Sequence, residues 1–212
     1  MKREALDGWS VKVSAIFCLI LAVTLAGCAL TEKKVRADVY DFGPTALATA
    51  PAPAAAPSLP PLALADVQAN QALDSLAILY RLGYADAQQL RPYAHARWSA
   101  PPAQLVRQRL REILSERRAV VNPRESTVPL VLRVELEEFS QQFGSPTQSD
   151  GVIRLNVTLS KITATGELPI AQRSVRVQRP APSEDAAGGV KALAVATEAA
   201  AHEIAQWLAS MQ

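Results

Sequence analysis

Leu130-Val131-Leu132-Arg133-Val134-Glu135-Leu136-Glu137 and Ile153-Arg154-Leu155-Asn156-Val157-Thr158-Leu159-Ser160 alternate apolar with polar residues. In an extended chain successive side chains point to opposite faces, so each stretch predicts a strand with one wet and one buried face. Gly144-Ser145-Pro146 with Asp150-Gly151 supplies the turn between them, and Thr165-Gly166 turns the second into a third strand. That third strand, Leu168 to Val177, breaks phase near Gln172, the signature of a bulge. The result is a β-meander.

Working outward, Leu76 to Leu82 is an apolar run of strand length, and Gln89 to Ser99 is its partner after a turn between Gly83 and Ala87. Ser99-Ala100-Pro101-Pro102 opens a helix, because prolines cost nothing where first-turn amides lack partners anyway. Val106, Leu110, Ile113 and Leu114 make its inward stripe, and it runs to about Arg118. Ser183 caps a second, alanine-rich helix with Glu184 and Asp185 in its first turn, packing through Val190, Leu193, Thr197, Ala201, Ile204 and Leu208. Val39 to Phe42, stopped by Gly43-Pro44, suits a short strand, whereas Thr45 to Pro61 is nearly all Ala, Pro, Leu, Thr and Ser. Residues 45–61 suit an internal loop or a stalk equally. Together these elements predict a single α/β domain, residues 39–212: a mixed, largely antiparallel β-sheet packed against two amphipathic helices.

Composition narrows what such a domain does. The chain has 212 residues, 49% hydrophobic but only 5% aromatic, with a net charge of +2. No polyanion-binding field follows from that charge. The 15 prolines and many alanines inflate the apolar fraction without supplying core volume, so Leu, Val and Ile must fill the core. Two cysteines and two histidines are too few for a cysteine-rich zinc site or a disulfide framework, and no cofactor is expected.

The N-terminus sets the compartment. Lys2, Arg3 and Lys12 precede the apolar run Val13 to Ala26, shorter than the about 20 residues that span a bilayer. Residues 1–27 therefore read as a signal peptide. The run ends Leu25-Ala26-Gly27-Cys28, which resembles the lipobox of bacterial lipoproteins, in which cleavage leaves a lipidated cysteine as the first residue. Residues 28–38 are then a lipidated spacer. One acyl chain holds a protein weakly; the three implied by this resemblance hold it firmly. Ala29 in place of Asp, by resemblance to the enteric sorting rule, implies the periplasmic face of the outer membrane.

Catalytic signatures are missing. There is no Gly-x-Ser-x-Gly nucleophile turn, and Gly188-Gly189 lacks the Gly-Lys of a phosphate loop and reads as a local helix irregularity. His95 and His202 stand alone, and Glu135 and Glu137 lie on one polar strand face beside Glu138 as a solvated acidic edge. Arg107, Arg109, Arg111, Arg117 and Arg118 make the first helix basic, but Glu112 and Glu116 are interleaved, so a solvated face, or a partner or lipid-headgroup contact, is expected rather than nucleic acid. Tyr80, Tyr84, Tyr93 and Trp98 gather in the hairpin of an aromatic-poor chain, where they pack the core or, if exposed, anchor a partner. Tyr80, Arg81, Tyr84 and Trp98 are the candidate partner-binding residues.

Leu73-Asp74-Ser75-Leu76-Ala77-Ile78-Leu79-Tyr80-Arg81, followed by Tyr93 to Pro102 with Trp98 and Pro101-Pro102 ahead of the Leu-rich helix, resembles the ABC-type transport auxiliary lipoprotein family. The lipobox and Tyr40-Asp41-Phe42-Gly43-Pro44 also fit. The resemblance covers nearly all of the chain after Cys28. It implies a non-catalytic, lipid-anchored periplasmic module that docks a mammalian-cell-entry protein and its ABC permease and ATPase at the outer membrane, and it admits a homo-oligomeric ring. It also implies that the Tyr40 strand belongs to the folded unit, which favours a loop at 45–61. A lipid carrier with an apolar cavity between sheet and helices, or a purely structural envelope lipoprotein, is the alternative.

Overall fold

The alternating stretches at Leu130 and Ile153 form the two longest strands of a nine-stranded sheet. The computed structural model describes residues 36–44, 59–125 and 127–211; the signal segment, Cys28 and residues 45–58 lie outside the described residues. In chain order the strands are β1 (Asp38–Tyr40), β2 (Leu62–Leu64), β3 (Gln68–Ala69), β4 (Ala77–Leu82), β5 (Asp86–Trp98), β6 (Val120–Val121), β7 (Leu130–Ser145), β8 (Gln148–Thr163) and β9 (Gly166–Pro180). The helices are α1 (Pro102–Ser115) and α2 (Ala186–Ala209), and a 3-10 turn spans Pro123–Glu125. No described helix is long and apolar enough to cross a membrane.

β7 is the axis. Along one edge it pairs antiparallel with β8, which pairs antiparallel with β9. Its other edge is shared: β2 and β3 lie parallel to its first half (Leu64 opposite Leu132, Ala69 opposite Leu136), and β4 lies parallel to its second half (Tyr80 opposite Gln141). β5 returns antiparallel to β4, β1 runs parallel beside β5, and β6 runs parallel beside β2. The sheet is thus mixed and largely antiparallel, as its alternation predicts. Because β1 pairs with β5 (Tyr40 opposite Trp98), residues 45–61 connect two strands of one sheet.

Both helices cover the same face. Leu132, Val134, Leu136, Ile153, Leu155 and Val157 are buried against Val106, Leu110, Ile113 and Leu114 of α1 and Val190, Leu193, Ile204 and Leu208 of α2. Each buried aliphatic side chain contributes roughly 1.5–3 kcal/mol, so this layer is the main source of stability. The opposite face carries ion pairs, Arg133 to Glu167 at 2.7 and 2.6 Å and Arg154 to Glu137 at 3.8 Å.

Several local expectations are corrected. Asp150-Gly151 is not a turn but lies inside β8, and the chain reverses at Pro146-Thr147. Gly151 is there for proximity: a Cβ on it would sit 2.6 Å from the Ala192 carbonyl carbon of α2. α2 is capped by Asp185, whose Oδ1 accepts from the Gly188 amide at 2.8 Å, while the Ser183 hydroxyl donates to that same carboxylate at 2.7 Å. Gly188-Gly189 lies in regular helix; a Cβ on Gly189 would meet the Gln141 side chain at 2.2 Å. α1 stops at Ser115 rather than Arg118, since the chain must turn back to lay β6 beside β2. Its arginines are not simply a solvated face. Arg107 donates to Asn122 Oδ1 at 2.9 Å and pairs with Asp66 at 3.1 Å; Arg111 donates to the Val120 carbonyl at 2.9 Å. Buried Arg109 donates to the Gly43 carbonyl at 3.2 Å and pairs with Glu112 at 3.4 Å. These guanidinium groups staple the short strands to the helix.

Candidate docking surface

The β4–β5 hairpin carries the aromatic residues singled out in the sequence, and it sorts them by face. Trp98 ends β5 pointing into the core: it is 1% exposed, edge-on to Phe42 at 5.7 Å and tilted against Phe139 at 5.6 Å. Its expected place among partner-binding residues is therefore corrected, since a side chain enclosed by Phe42 and Phe139 has no surface to offer. It builds the platform from which the hairpin projects.

Tyr80 is half-buried, 4.6 Å from the Tyr93 ring and 6.0 Å from that of Phe143. Offset aromatic contacts at such separations fix ring orientation. The Tyr93 hydroxyl donates to Gln141 Oε1 at 2.8 Å, and Gln141 Nε2 donates to Ser149 Oγ at 2.8 Å. Glycine at 189 leaves room for that glutamine beneath α2. Burial, with smaller contributions from Tyr80 and Asp185, pushes the Tyr93 phenol up to about 12. This stack immobilises the hairpin against β7.

Arg81, half-buried beside it, pairs with Glu138 at 3.6 Å and donates to the carbonyls of Ala87 and Gln88 at 3.3 and 3.2 Å. It ties the far end of the hairpin down. Glu138 also accepts from Ser140 Oγ at 2.5 Å, and Glu137 faces Arg154, so those two carboxylates are paired with cations rather than with each other. Tyr84, in the turn, is 49% exposed. Of the four predicted residues, the structure brings Tyr80, Arg81 and Tyr84 to one end of one hairpin and separates Trp98 from them.

Ile162, Leu168 and Ile170 at the β8–β9 turn end are exposed and were missed in the sequence. The register shift between Leu159 and Ser160 against β9 turns Ile170 out of the alternation that marks a wet or dry position. Among the described residues no group of three His, Cys, Asp or Glu side chains is placed to hold a metal.

A sequence model described as the ABC-type transport auxiliary lipoprotein component matches residues 40–205. The chain belongs to the ABC-type transport auxiliary lipoprotein family. That span opens at the end of β1, takes in the whole β4–β5 hairpin and closes within α2; Cys28 precedes it. A family of auxiliary transport components is in keeping with a protein that does no catalysis itself. Among solved structures, a DUF330 protein of Xanthomonas campestris is 22% identical, with a TM-score of 0.63 over 72% of this chain and 86% of that one. An uncharacterized protein is 15% identical at 0.62, covering 82% and 99%, and the hypothetical protein CT253 of Chlamydia trachomatis is 8% identical at 0.50, covering 70% and 94%. At these identities the likeness shows that this auxiliary lipoprotein shares their fold. No curated protein gives a significant match.

Proposed function

We propose that this auxiliary lipoprotein is a non-catalytic docking module, anchored by lipid on Cys28 at the periplasmic face of the outer membrane. It receives a mammalian-cell-entry protein served by an ABC permease and ATPase in intermembrane lipid transport. The observation that carries the reading is the Tyr80–Arg81–Tyr84 hairpin end. An exposed aromatic beside a tethered arginine, held on a rigid stack, is the composition of an interface anchor, because little side-chain entropy remains to be lost on binding. Several copies around one partner is the oligomeric form of the same reading. Membership in the auxiliary lipoprotein family supports it.

The carrier reading has less support. The space between sheet and helices is occupied by fully buried Leu132, Leu136, Leu155, Leu193 and Ile204, which an acyl chain would have to displace. The test is a mild-detergent pull-down of the tagged protein from its own cells, with mass spectrometry of proteins and lipids. Recovery of a mammalian-cell-entry protein with its permease and ATPase is expected; bound phospholipid without them would favour the carrier.

A further inference from the structure

Of the seven large apolar residues exposed among the described residues, Ile162, Leu168, Ile170 and Met211 gather at one end of the molecule. Ile162 lies one residue from the end of β8, and Leu168 and Ile170 lie in the first turn of chain along β9; Leu168, at 60%, is the most exposed of the seven. Met211 follows α2, which runs alongside β8: Ala192 backs onto Gly151 and Glu203 pairs with Arg173, opposite Val157, so its last turn is carried toward the same end. The three strand residues do not share one face. Ile153, Leu155, Val157 and Leu159 of β8 face the helices, so Lys161 and the Leu168 opposite it continue that face, while Ile162 stands on the other. Apolar side chains thus project from both sides of a hairpin tip. That is a wedge rather than a groove, and a wedge is buried on both sides at once only by insertion.

Strand addition does not explain the patch. β9 pairs only with β8, but a strand laid on its free edge would meet Pro169, which has no amide to give, and the charges of Arg173, Arg176 and Arg179. The charges at the tip favour an anionic surface. Glu167 is neutralised by Arg133 at 2.6 Å, whereas exposed Lys161, and exposed Arg124 in the turn leading to Pro129, have no carboxylate partner among the described residues. That turn is tied to the tip, since the Ile162 amide donates to the Pro129 carbonyl at 2.7 Å. The chain also brings a bilayer with it. Nine residues separate Cys28 from Asp38, a reach of up to about 35 Å, and a tether of that length holds a surface at high effective concentration, so a weak contact is populated. We propose that the β8–β9 end inserts into the interface of an anionic phospholipid bilayer, with Ile162, Leu168 and Ile170 below the headgroups and Lys161 and Arg124 against lipid phosphates. Apolar side chains flanked by cations are the composition of an interfacial contact. The inference rests on the lipid anchor of the proposed function and not on the role of the hairpin. Lys161 is opposite Leu130 and Leu82 beside Phe143, so thirteen residues of β7, roughly 40 Å, separate the two ends, and a bilayer at one does not occlude the other.

The test places a photo-crosslinking amino acid at Leu168 of the full chain in its own cells, with Gln178, exposed farther along β9, as control, and identifies adducts on the purified protein by mass spectrometry. A phospholipid adduct at 168, about tenfold or more above that at 178, is expected. Leu168→Asp combined with Ile170→Asp, both at exposed positions, should leave Tm unchanged and cut the lipid adduct from a probe at Ile162 by about tenfold, as withdrawal of two apolar side chains from an apolar phase does. Reconstituted in vesicles of phosphatidylethanolamine with phosphatidylglycerol, the protein should give several-fold more adduct at 168 than in neutral phosphatidylcholine vesicles, and Lys161→Glu should shrink that difference. No lipid adduct at 168 above that at 178, or a protein adduct in its place, would overturn the proposal. The acyl mass on Cys28 is read from the same spectra, so loss of the anchor and absence of the tip contact are told apart.

Discussion

Gln141 joins three elements through one side chain: it accepts from Tyr93 of β5, donates to Ser149 of β8 and lies under Gly189 of α2. Two glycine substitutions separate kinds of crowding there. Gly151→Ala drives a methyl into the backbone of Ala192 and Leu193 at 2.6 Å, which cannot yield without lifting α2, so it should cost about 2–3 kcal/mol. Gly144→Ala meets nothing within 4 Å and should be within about 0.5 kcal/mol of neutral. Urea unfolding of the pair checks the contrast. The Tyr93 phenol, raised to about 12 in the folded state against 10.0 for the ordinary group, holds its proton longer when folded. Its contribution to stability is therefore complete below pH 10 and lost as pH rises through 12. Ultraviolet titration of the folded protein should show one late tyrosine, absent in Tyr93→Phe. Residue roles were only partly legible in the sequence. The alternation of aromatics along β4 and β5 implies that some face outward, but that Trp98 is not one of them depends on Phe42 and Phe139, brought from other elements. The arginines of α1 read as a charged face because their acceptors are backbone carbonyls of β2, of β6 and of Gly43 beyond β1, which no charge pattern displays.

At the scale of elements, β7 depends on the irregularity between Leu136 and Glu138. Before it Leu132, Val134 and Leu136 face the helices; after it Phe139, Gln141 and Phe143 do, and the register shift between Leu136 and Glu138 makes the change of parity. Because Glu137 is the unpaired extra residue, deleting it leaves Glu138 opposite Arg154 and Phe139 opposite Ile153 with Phe139 and Phe143 on their present face, so the fold should be retained, whereas inserting an alanine between Phe139 and Ser140 should turn Gln141 and Phe143 to the polar face and abolish folding. Circular dichroism with thermal melting separates the two. α2 depends on its cap: Asp185→Ala should cost about 1 kcal/mol. The Gly188 amide and then the Ser183 hydroxyl hold the Asp185 carboxyl below the ordinary aspartate range, so its stabilising effect is present above that range and lost as pH falls through the lowered value. The penalty of the substitution should fade accordingly in acid melts. The long strands and both helices were legible because their periodicity extends over many residues. β2, β3 and β6 were not, being two or three residues long and defined by pairing along β7 and β2 rather than by a pattern of their own. Asp150-Gly151 misled for a related reason, since glycine selected for close approach of α2 has the same letter as glycine selected for a turn.

The whole molecule is a sheet with one face covered by two helices and the other polar, crossed by Arg133–Glu167 and Arg154–Glu137. Buried side chains fill the layer between sheet and helices, and the hairpin end stands exposed at Tyr84. Cys28→Ser, which precedes in sequence the unit that begins at Ala37, should release a soluble or uncleaved precursor with an unchanged melting curve, and palmitate labelling persisting in that variant would refute lipidation. The docking claim is tested most directly by placing a photo-crosslinking amino acid at Tyr84 in living cells and identifying what is captured, with the polar sheet-edge position Gln178 as control. The account predicts a mammalian-cell-entry protein captured from position 84 and not from 178; capture of none from 84, or of the same protein equally from both, would contradict it.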